Sequence, residues 1–434
     1  RMTLAVKPKN AKNVIQKFKK RGVEATIIGK FTYQKKAIVK YNKIEVLNLD
    51  MDFLHEGYPK LKLKTKKPSY LVIKKNKLKK YSLINKIHKI LSSPNIVTKE
   101  FVANQYDHEV QGSSIIKPLQ GVGKVFGNTT AIKPLYDDNK TISLSQSAFP
   151  QYSEADPYKM AACSINTAVK NLVVMGANFK KIAILDNFCW CSSDEEGRLY
   201  ELRKAAEACY DYAVHYNTPF ISGKDSMYND FKGFNQKNNT IKISIPPTLL
   251  ISSIGIVDKI NHLTKITPEK NDVIYVLGET HNELDKSQYE NFFRVKKTNI
   301  PKVNATKSLD LYKRFEKANK KNLFTSALGV DLGGIGITLI KMSIGSNLGL
   351  NINIPKKNKL DINQFLFSES QSRIVVSIKK NKENIFKKIF KNTSFTKIGT
   401  CLDNKKIVFN YSSKKYSDTI ENFSKSYKSK IKGL

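Results

Sequence analysis

One short pattern occurs twice in this chain, and it limits the architectures open to the rest. Arg1-Met-Thr-Leu-Ala-Val6 alternates like a strand and is followed by a helical pattern through Val14 and Phe18. Arg373-Ile-Val-Val-Ser-Ile378 opens the same arrangement, with Phe386 and Phe390 in the matching places. Arg1 pairs with Arg373, Met2 with Ile374, Leu4 with Val376 and Val6 with Ile378. Ile28-Gly29 then meets Ile398-Gly399, two residues out of step. A strand–helix–strand unit used twice predicts a duplicated architecture; chance similarity of two short amphipathic units is the alternative. A complete domain precedes the second copy and none precedes the first, so the chain is expected to start inside a domain.

At 434 residues and 40% hydrophobic content the chain has room for two or three domains, each with its own core. No run of about 18 apolar residues suggests a membrane span, and no apolar segment with a cleavage site suggests secretion. A cytoplasmic protein is expected. The net charge of +38 raises the question of nucleic acid. Only seven of the 75 basic residues are arginine, however, and lysine is spread along the whole chain. Readers of nucleic acid cluster charge on one face and use arginine for base edges. The charge therefore predicts salt-sensitive sticking to polyanions rather than a specific nucleic-acid partner. The five cysteines and six histidines show no spacing of a metal site.

The lysine-rich tract Leu61–Tyr81, with Pro68, and the helix-like Ile84–Leu91 before Pro94 read as a solvated connector. Beyond it, Ile115–Leu119 and Ala131–Leu135 flank a glycine-rich loop at Gly121–Gly127 and predict paired strands. Asp156-Pro157 is a helix start, Asp as N-cap and Pro at the first helical position, and Gly176 closes that helix. Ile165, Ala168, Val169, Leu172 and Val173 mark its apolar face. Ser193 and Glu196 suggest a capping box for a second helix burying Leu199, Leu202, Ala206, Cys209 and Ala213. Thr248–Val257 and Val273–Leu277 read as strands. Ala327–Gly336 precedes an apolar helix through Met342; its glycines fit either a phosphate at the helix N-terminus or close packing on a sheet. After Tyr411 the chain is Ser- and Lys-rich and is expected to fray.

Chemistry concentrates in Thr218–Asp230. Phe220 and Ile221 suggest a short buried strand stopping at Gly223, where a missing Cβ would admit a phosphate. Lys224, Asp225 and Ser226 follow with a cation, a metal-binding oxygen and a hydroxyl. A second carboxylate, Asp186, follows the strand-like Lys181–Leu185, with a helix between the two segments. Two strand ends so connected would converge on one ligand. The plainer alternative is a strand that ends in a polar turn.

Taken together, these pieces resemble the phosphoribosylformylglycinamidine synthases, in the latter part of their large synthetase subunit. The resemblance rests on Tyr106-Asp-His-Glu-Val-Gln-Gly112, on Asp156-Pro157 with the helix through Asn171 to Gly176, on Leu185-Asp186-Asn187, on Ser222-Gly-Lys-Asp-Ser226 and on Ser368-Glu-Ser-Gln-Ser-Arg373. It implies a duplicated α+β synthetase architecture, each half an α+β ATP-binding domain followed by a smaller α/β domain of the aminoimidazole ribonucleotide synthetase superfamily. On that plan residues 1–58 end the first half's second domain, 59–104 form a basic linker and 105–258 the second ATP-binding-type domain. Residues 270–410 form its α/β companion and 411–434 a basic tail.

The implied reaction converts formylglycinamide ribonucleotide to the amidine, through an iminophosphate made with ATP and displaced by ammonia. A glutaminase subunit would supply the ammonia, and a small accessory subunit would join the complex. Carried over by position, Asp186 and Gly223 are implied ATP contacts and Ser226 a substrate contact; Asp225 is the candidate Mg²⁺ ligand, because the protonated Lys224 beside it cannot coordinate a metal. No catalytic residue is assigned within this chain. Two positions depart from the family pattern. Lys224 stands where many relatives place a metal-ligating Asn, and Thr167 where many place a helix glutamate. A non-catalytic nucleotide-binding scaffold and a basic nucleic-acid-binding protein are the alternative functions.

Overall fold

The computed structural model describes residues 1–69, 81–293, 295, 298–356 and 360–431. Two compact units emerge, Arg1–Leu63 and Lys64–Leu434.

The first unit holds a helix, Ala11–Lys19, a hairpin of Lys36–Tyr41 with Ile44–Asp50, and a short helix, Met51–Glu56. The second unit repeats the series as Glu383–Phe390, then Lys406–Tyr411 with Lys414–Thr419, then Ile420–Tyr427. The two hairpins keep the step already set by Ile28 and Ile398. One expectation fails: residues 1–6 form no strand, and Met2 and Leu4 are 84% and 55% exposed. Their counterpart Ile374–Ile378 is laddered on both sides, by Val273–Leu277 and Phe324–Gly329. Residues 1–6 have no such neighbours, and alternation without a partner does not hold a strand.

The second unit is built on two large sheets, beside two-stranded pairs of Leu119–Gln120 with Val125–Phe126 and of Asp230–Phe234 with Thr240–Ser244. The first has six strands in the order Ser114–Ile116, Thr129–Ile132, Thr141–Ser147, Thr248–Val257, Ile182–Cys189 and Phe220–Ser226. Only the last pair runs parallel, because the Glu196–Tyr216 helix carries the chain back between them. The second sheet has seven strands, ordered Phe324–Gly329, Ile374–Ile378, Val273–Leu277, Phe395–Leu402, Gly349–Asn353, Lys406–Tyr411 and Lys414–Thr419. The expected pairing around the glycine loop is present, with Ser114 opposite Ile132.

The Pro157–Met175 helix joins the layers. Asp156 accepts from the Lys159 N–H at 3.0 Å, and Gly176 ends the helix in the left-handed region. All of its residues except Tyr158 and Lys159 are buried. The apolar stripe read from the sequence is thus part of a fully enclosed helix. It packs on the six-stranded sheet, and its residues share one core with Tyr275, Phe315 and Phe386 of the following domain.

Four other expectations change. The second helix starts at Glu196 and has no side-chain cap, so Ser193 and Glu196 make no capping box. Its buried side carries Glu201, Ala205, Ala208, Cys209, Tyr212 and Tyr216, while Ala206 is exposed, because the helix is rotated by about one residue from the expected face. The segment after Tyr411 is no frayed tail. It forms a strand and a helix whose Phe423 and Tyr427 are buried with the second sheet. Likewise Leu83–Leu91, read as connector, buries Ile87, Ile90 and Leu91 in that core. Lysine between the apolar positions made both segments look solvated. Of the lysine-rich tract, residues 70–80 lie outside the described residues.

Candidate functional sites

The Phe220–Ser226 strand is the exposed edge of the six-stranded sheet, not a buried strand, and Ile221 is 62% exposed. It does not stop at Gly223 but runs on to Ser226. Asp186 is likewise inside the Ile182–Cys189 strand rather than at its end. The parallel register nevertheless sets Asp186 directly against Gly223, Asn187 against Lys224, Phe188 against Asp225 and Cys189 against Ser226. The two segments meet side by side, as expected, within the ladder.

Gly223 is fixed by its neighbour. A Cβ there would sit 2.2 Å from Asp186 Oδ1, well inside any tolerated contact. Asp186 shares the sheet face of Ile184 and Phe188, which are buried under the helices. Its charge adds to the burial that pushes the Cys209 thiol on the Glu196–Tyr216 helix up to about 12. Burial raises the Asp186 carboxyl above its ordinary range; a backbone hydrogen bond opposes this, and the charge of Asp225 adds to the rise. Alternation places Gly223 and Asp225 on the Asp186 face and Lys224 and Ser226 on the opposite one. Lys224 Nζ donates to Ser226 Oγ, consistent with that split. The strand edge therefore brings Asp186, Gly223 and Asp225 together and sets Ser226 across the sheet from them.

Magnesium, which the family resemblance implies, takes one or two carboxylates and fills its remaining positions with water and phosphate oxygens. Asp186 and Asp225, on one face of neighbouring strands, fit that demand. Among the described residues no group of three or more His, Cys, Asp or Glu side chains is placed to hold a metal. A cation here would depend on the ligand's own oxygens.

A second site was not read from the sequence. A cavity of about 520 Å³ opens between the strands around Thr129 and Ser145 and the Gly334–Ser346 helix. Asn171, on the enclosed Pro157–Met175 helix, lines it at 2% exposure, and neither Oδ1 nor Nδ2 has a hydrogen-bond partner. Lys341 reaches it with one long contact, 3.4 Å to Asn128 Oδ1. Burial lowers the Lys341 ammonium to about 8, against the pull of Asp331. Lys99 also lines the cavity, held by the carbonyls of Pro94 and Val97 at 2.6 and 2.7 Å. Behind the wall, fully buried Lys170 donates to the Val330 carbonyl and is lowered to about 8 by burial. The available signal was a lone lysine inside an otherwise apolar helical run, at Lys170 and again at Lys341. Such a residue is costly unless the fold gives it a partner or a purpose.

The glycine-rich turn at Ala327–Gly336 resolves toward packing. A Cβ on Gly334 would lie 2.6 Å from the carbonyl oxygens of Leu366 and Ser368. The helix N-terminus already faces a carboxylate, because Glu369 accepts from the Gly333 N–H at 2.8 Å and from the Gln288 N–H at 2.9 Å. Tyr152 OH also donates to Glu369, whose carboxyl burial raises to about 7. Arg373, fully buried, donates to the Ser370 carbonyl at 2.9 Å and to Thr280 Oγ1 at 3.0 Å. The Ser368–Arg373 motif is thus a buried polar brace.

Comparison with known proteins places these features in context. Residues 127–246 match the AIR synthase related protein, N-terminal domain, and residues 271–412 match its C-terminal domain. The chain is 28% identical over 412 residues to the phosphoribosylformylglycinamidine synthase subunit PurL of Methanocaldococcus jannaschii, covering 92% of this chain and 54% of that protein. It is 29% identical over 384 residues to the PurL of Pelagibacter ubique, covering 87% and 50%. Among solved structures, Thermotoga maritima PurL complexed with FGAR is similar with a TM-score of 0.60 at 15% identity, over 79% of this chain and 54% of that one. The same protein complexed with ATP gives 0.59 at 14% identity, over 80% and 53%. The chain spans about half the length of the curated relatives it matches.

Proposed function

The chain belongs to the AIR synthase related proteins and is a homologue of the phosphoribosylformylglycinamidine synthase subunit PurL; on that premise we propose that it forms the latter part of an ATP-dependent, amidine-forming ligase of purine biosynthesis. In this reading formylglycinamide ribonucleotide attacks ATP through its amide oxygen, and ammonia then displaces phosphate from the iminophosphate. A glutaminase subunit supplies the ammonia, and a small accessory subunit completes the assembly. Among the described residues no helix is long and apolar enough to cross a membrane, and the reading assigns the activity to the cytoplasm.

One observation carries the proposal: Asp186 and Gly223 are laddered neighbours with no room for a side chain between them. The missing Cβ is what admits the Asp186 carboxylate over the Gly223 backbone, and with Asp225 on the same face it would offer magnesium-bound phosphates a pair of carboxylates. Asp186 and Gly223 would contact ATP, with Asp225 as the magnesium ligand on the same face. Magnesium, when bound, would offset charge on the phosphates. Ser226 would reach the substrate from the opposite face, so the ligands would straddle the free edge of the Phe220–Ser226 strand. Lys224 lies on the Ser226 face, where its ammonium does not compete with a cation held by Asp225.

The test follows the oxygen. Substrate carrying a heavy-oxygen label on its side-chain amide should deliver that label to inorganic phosphate in the assembled synthetase containing this chain, and Gly223→Val should abolish the transfer. Full turnover with unlabelled phosphate would overturn the reading.

A further inference from the structure

We infer that a different cavity, where the connector segment at Lys66–Pro68 crosses the starts of the two long helices, binds a phosphate monoester that carries an aromatic ring, and that it does so without a divalent cation. The inference does not depend on the sheet-edge assignment.

The cavity measures about 430 Å³, within the ordinary range for small-molecule sites. One side is the first turns of the Pro157–Met175 helix, down to buried Ala162. Another is the Glu196–Tyr216 helix, through Tyr200, Lys204 and Tyr212. Lys302 and Val303, just before the Ala305–Asn319 helix, close a third. The connector supplies the last wall. Lys66 N–H donates to the Glu196 carbonyl at 3.1 Å, and Pro68 Cβ lies 3.5 Å from where a side chain on Gly197 would begin. These contacts hold Lys67 against the cavity.

Lysine is common along the whole chain, so charge alone would identify nothing. Tyrosine makes up only 20 of 434 residues, yet Tyr158, Tyr200 and Tyr212 all line this one space. Tyr158 OH donates to Asp211 Oδ2 at 2.6 Å, and Tyr212 OH to the Val303 carbonyl at 3.1 Å. With those hydroxyls engaged, the pair offers a ligand ring surface. Their rings stand 6.3 Å apart at 58°, and a guest ring would extend the cluster through the offset and edge-to-face contacts that aromatic groups favour.

Around the rings stand four ammonium groups and one carboxylate, Asp156. That carboxylate caps its own helix, accepting from the Lys159 N–H at 3.0 Å, and pairs with Lys159 Nζ at 3.2 Å. Lys204 pairs with Glu207. Among the described residues, the Lys67 and Lys302 ammonium groups make no ion pair. Two unpaired ammonium groups match the nearly two negative charges of a phosphate monoester at neutral pH, and lysine meets phosphate as a compact point charge. Magnesium needs a free carboxylate, which this cavity lacks. The ligand therefore binds metal-free.

Calorimetric titration of the 434-residue chain with AMP in excess EDTA tests the inference, with ribose 5-phosphate and adenosine as the two halves of the probe. AMP should fill one site, more tightly than either half. Lys302→Met should weaken it about tenfold, and Tyr200→Leu about two- to tenfold. Lys302 is exposed, so its variant should keep the parent melting temperature even if Tyr200→Leu does not. No binding at millimolar AMP, either half binding as tightly as AMP, or AMP binding that either variant leaves unchanged overturns the inference. The sheet-edge reading is decided separately, by magnesium-dependent ATP binding in Gly223→Val. That variant should leave AMP binding in EDTA intact; its loss there would put the ligand at the sheet edge and overturn the inference too.

Discussion

The two sites of this unit solve opposite electrostatic problems with the same lysine-rich sequence. At the sheet edge, Asp186 and Asp225 share a face, burial and the charge of Asp225 raise the Asp186 carboxyl, and Lys224, beside Asp225 in sequence, points to the other side. In the tyrosine-lined cavity, ammonium groups outnumber the single carboxylate, which is already engaged in capping its own helix. The first arrangement lacks a cation and the second already holds one. Strand alternation and helix enclosure, rather than composition, decide which side of that line a site falls on.

The strongest way to break the comparison is Gly223→Val. A Cβ there would lie 2.2 Å from Asp186 Oδ1, so a valine must displace that carboxylate or shift the edge strand. Magnesium-dependent ATP binding should fall below detection by calorimetry, whereas loss confined to a few-fold would mean that the backbone is not approached. Asp225→Asn is next. It removes one carboxylate from the pair and should weaken ATP binding in magnesium about tenfold, with little change in EDTA; an equal loss in both media would deny Asp225 a metal. The cavity has its own signature in salt. Lys67 and Lys302 are exposed, so AMP binding in EDTA should weaken several-fold between ~10 and ~150 mM salt, as the screening length falls from about 30 to about 8 Å. Affinity independent of salt would exclude the two lysines as the cations. The smallest effect should come from Ser226→Ala. Its hydroxyl already accepts from Lys224, so its loss should raise the substrate KM by about fivefold, near the net worth of a single hydrogen bond.

Much of the fold was legible, for identifiable reasons. Asp156, Pro157 and Gly176 bound their helix because capping is local chemistry. The helix of the duplicated unit could be read in both copies, through Val14 and Phe18 and through Phe386 and Phe390, because periodicity survives wherever the chain is placed, whereas the hairpin and helix that follow it were not read. What failed depended on distant partners. Residues 1–6 alternate like Ile374–Ile378 but lack strands on either side. The helix from Glu196 buries a face set chiefly by the Pro157–Met175 helix it packs against, which no local pattern announces. At the sheet edge the residues of the Thr218–Asp230 stretch were identified, yet the strand's continuation past Gly223 was not, because polar residues on an exposed edge look like a turn. The cavity beside Asn171 was invisible because its wall is assembled from Lys99, Asn171, Asp331 and Lys341, which stand far apart in sequence and meet only when the helices pack.

The central claim is that metal dependence separates the two sites, and titration of ATP and AMP with and without magnesium tests it most directly. The magnesium-dependent part of ATP binding should vanish in Gly223→Val, whereas AMP binding should survive both EDTA and that variant and be weakened by Lys302→Met. AMP binding that EDTA removes, or one variant that removes both, would contradict the account.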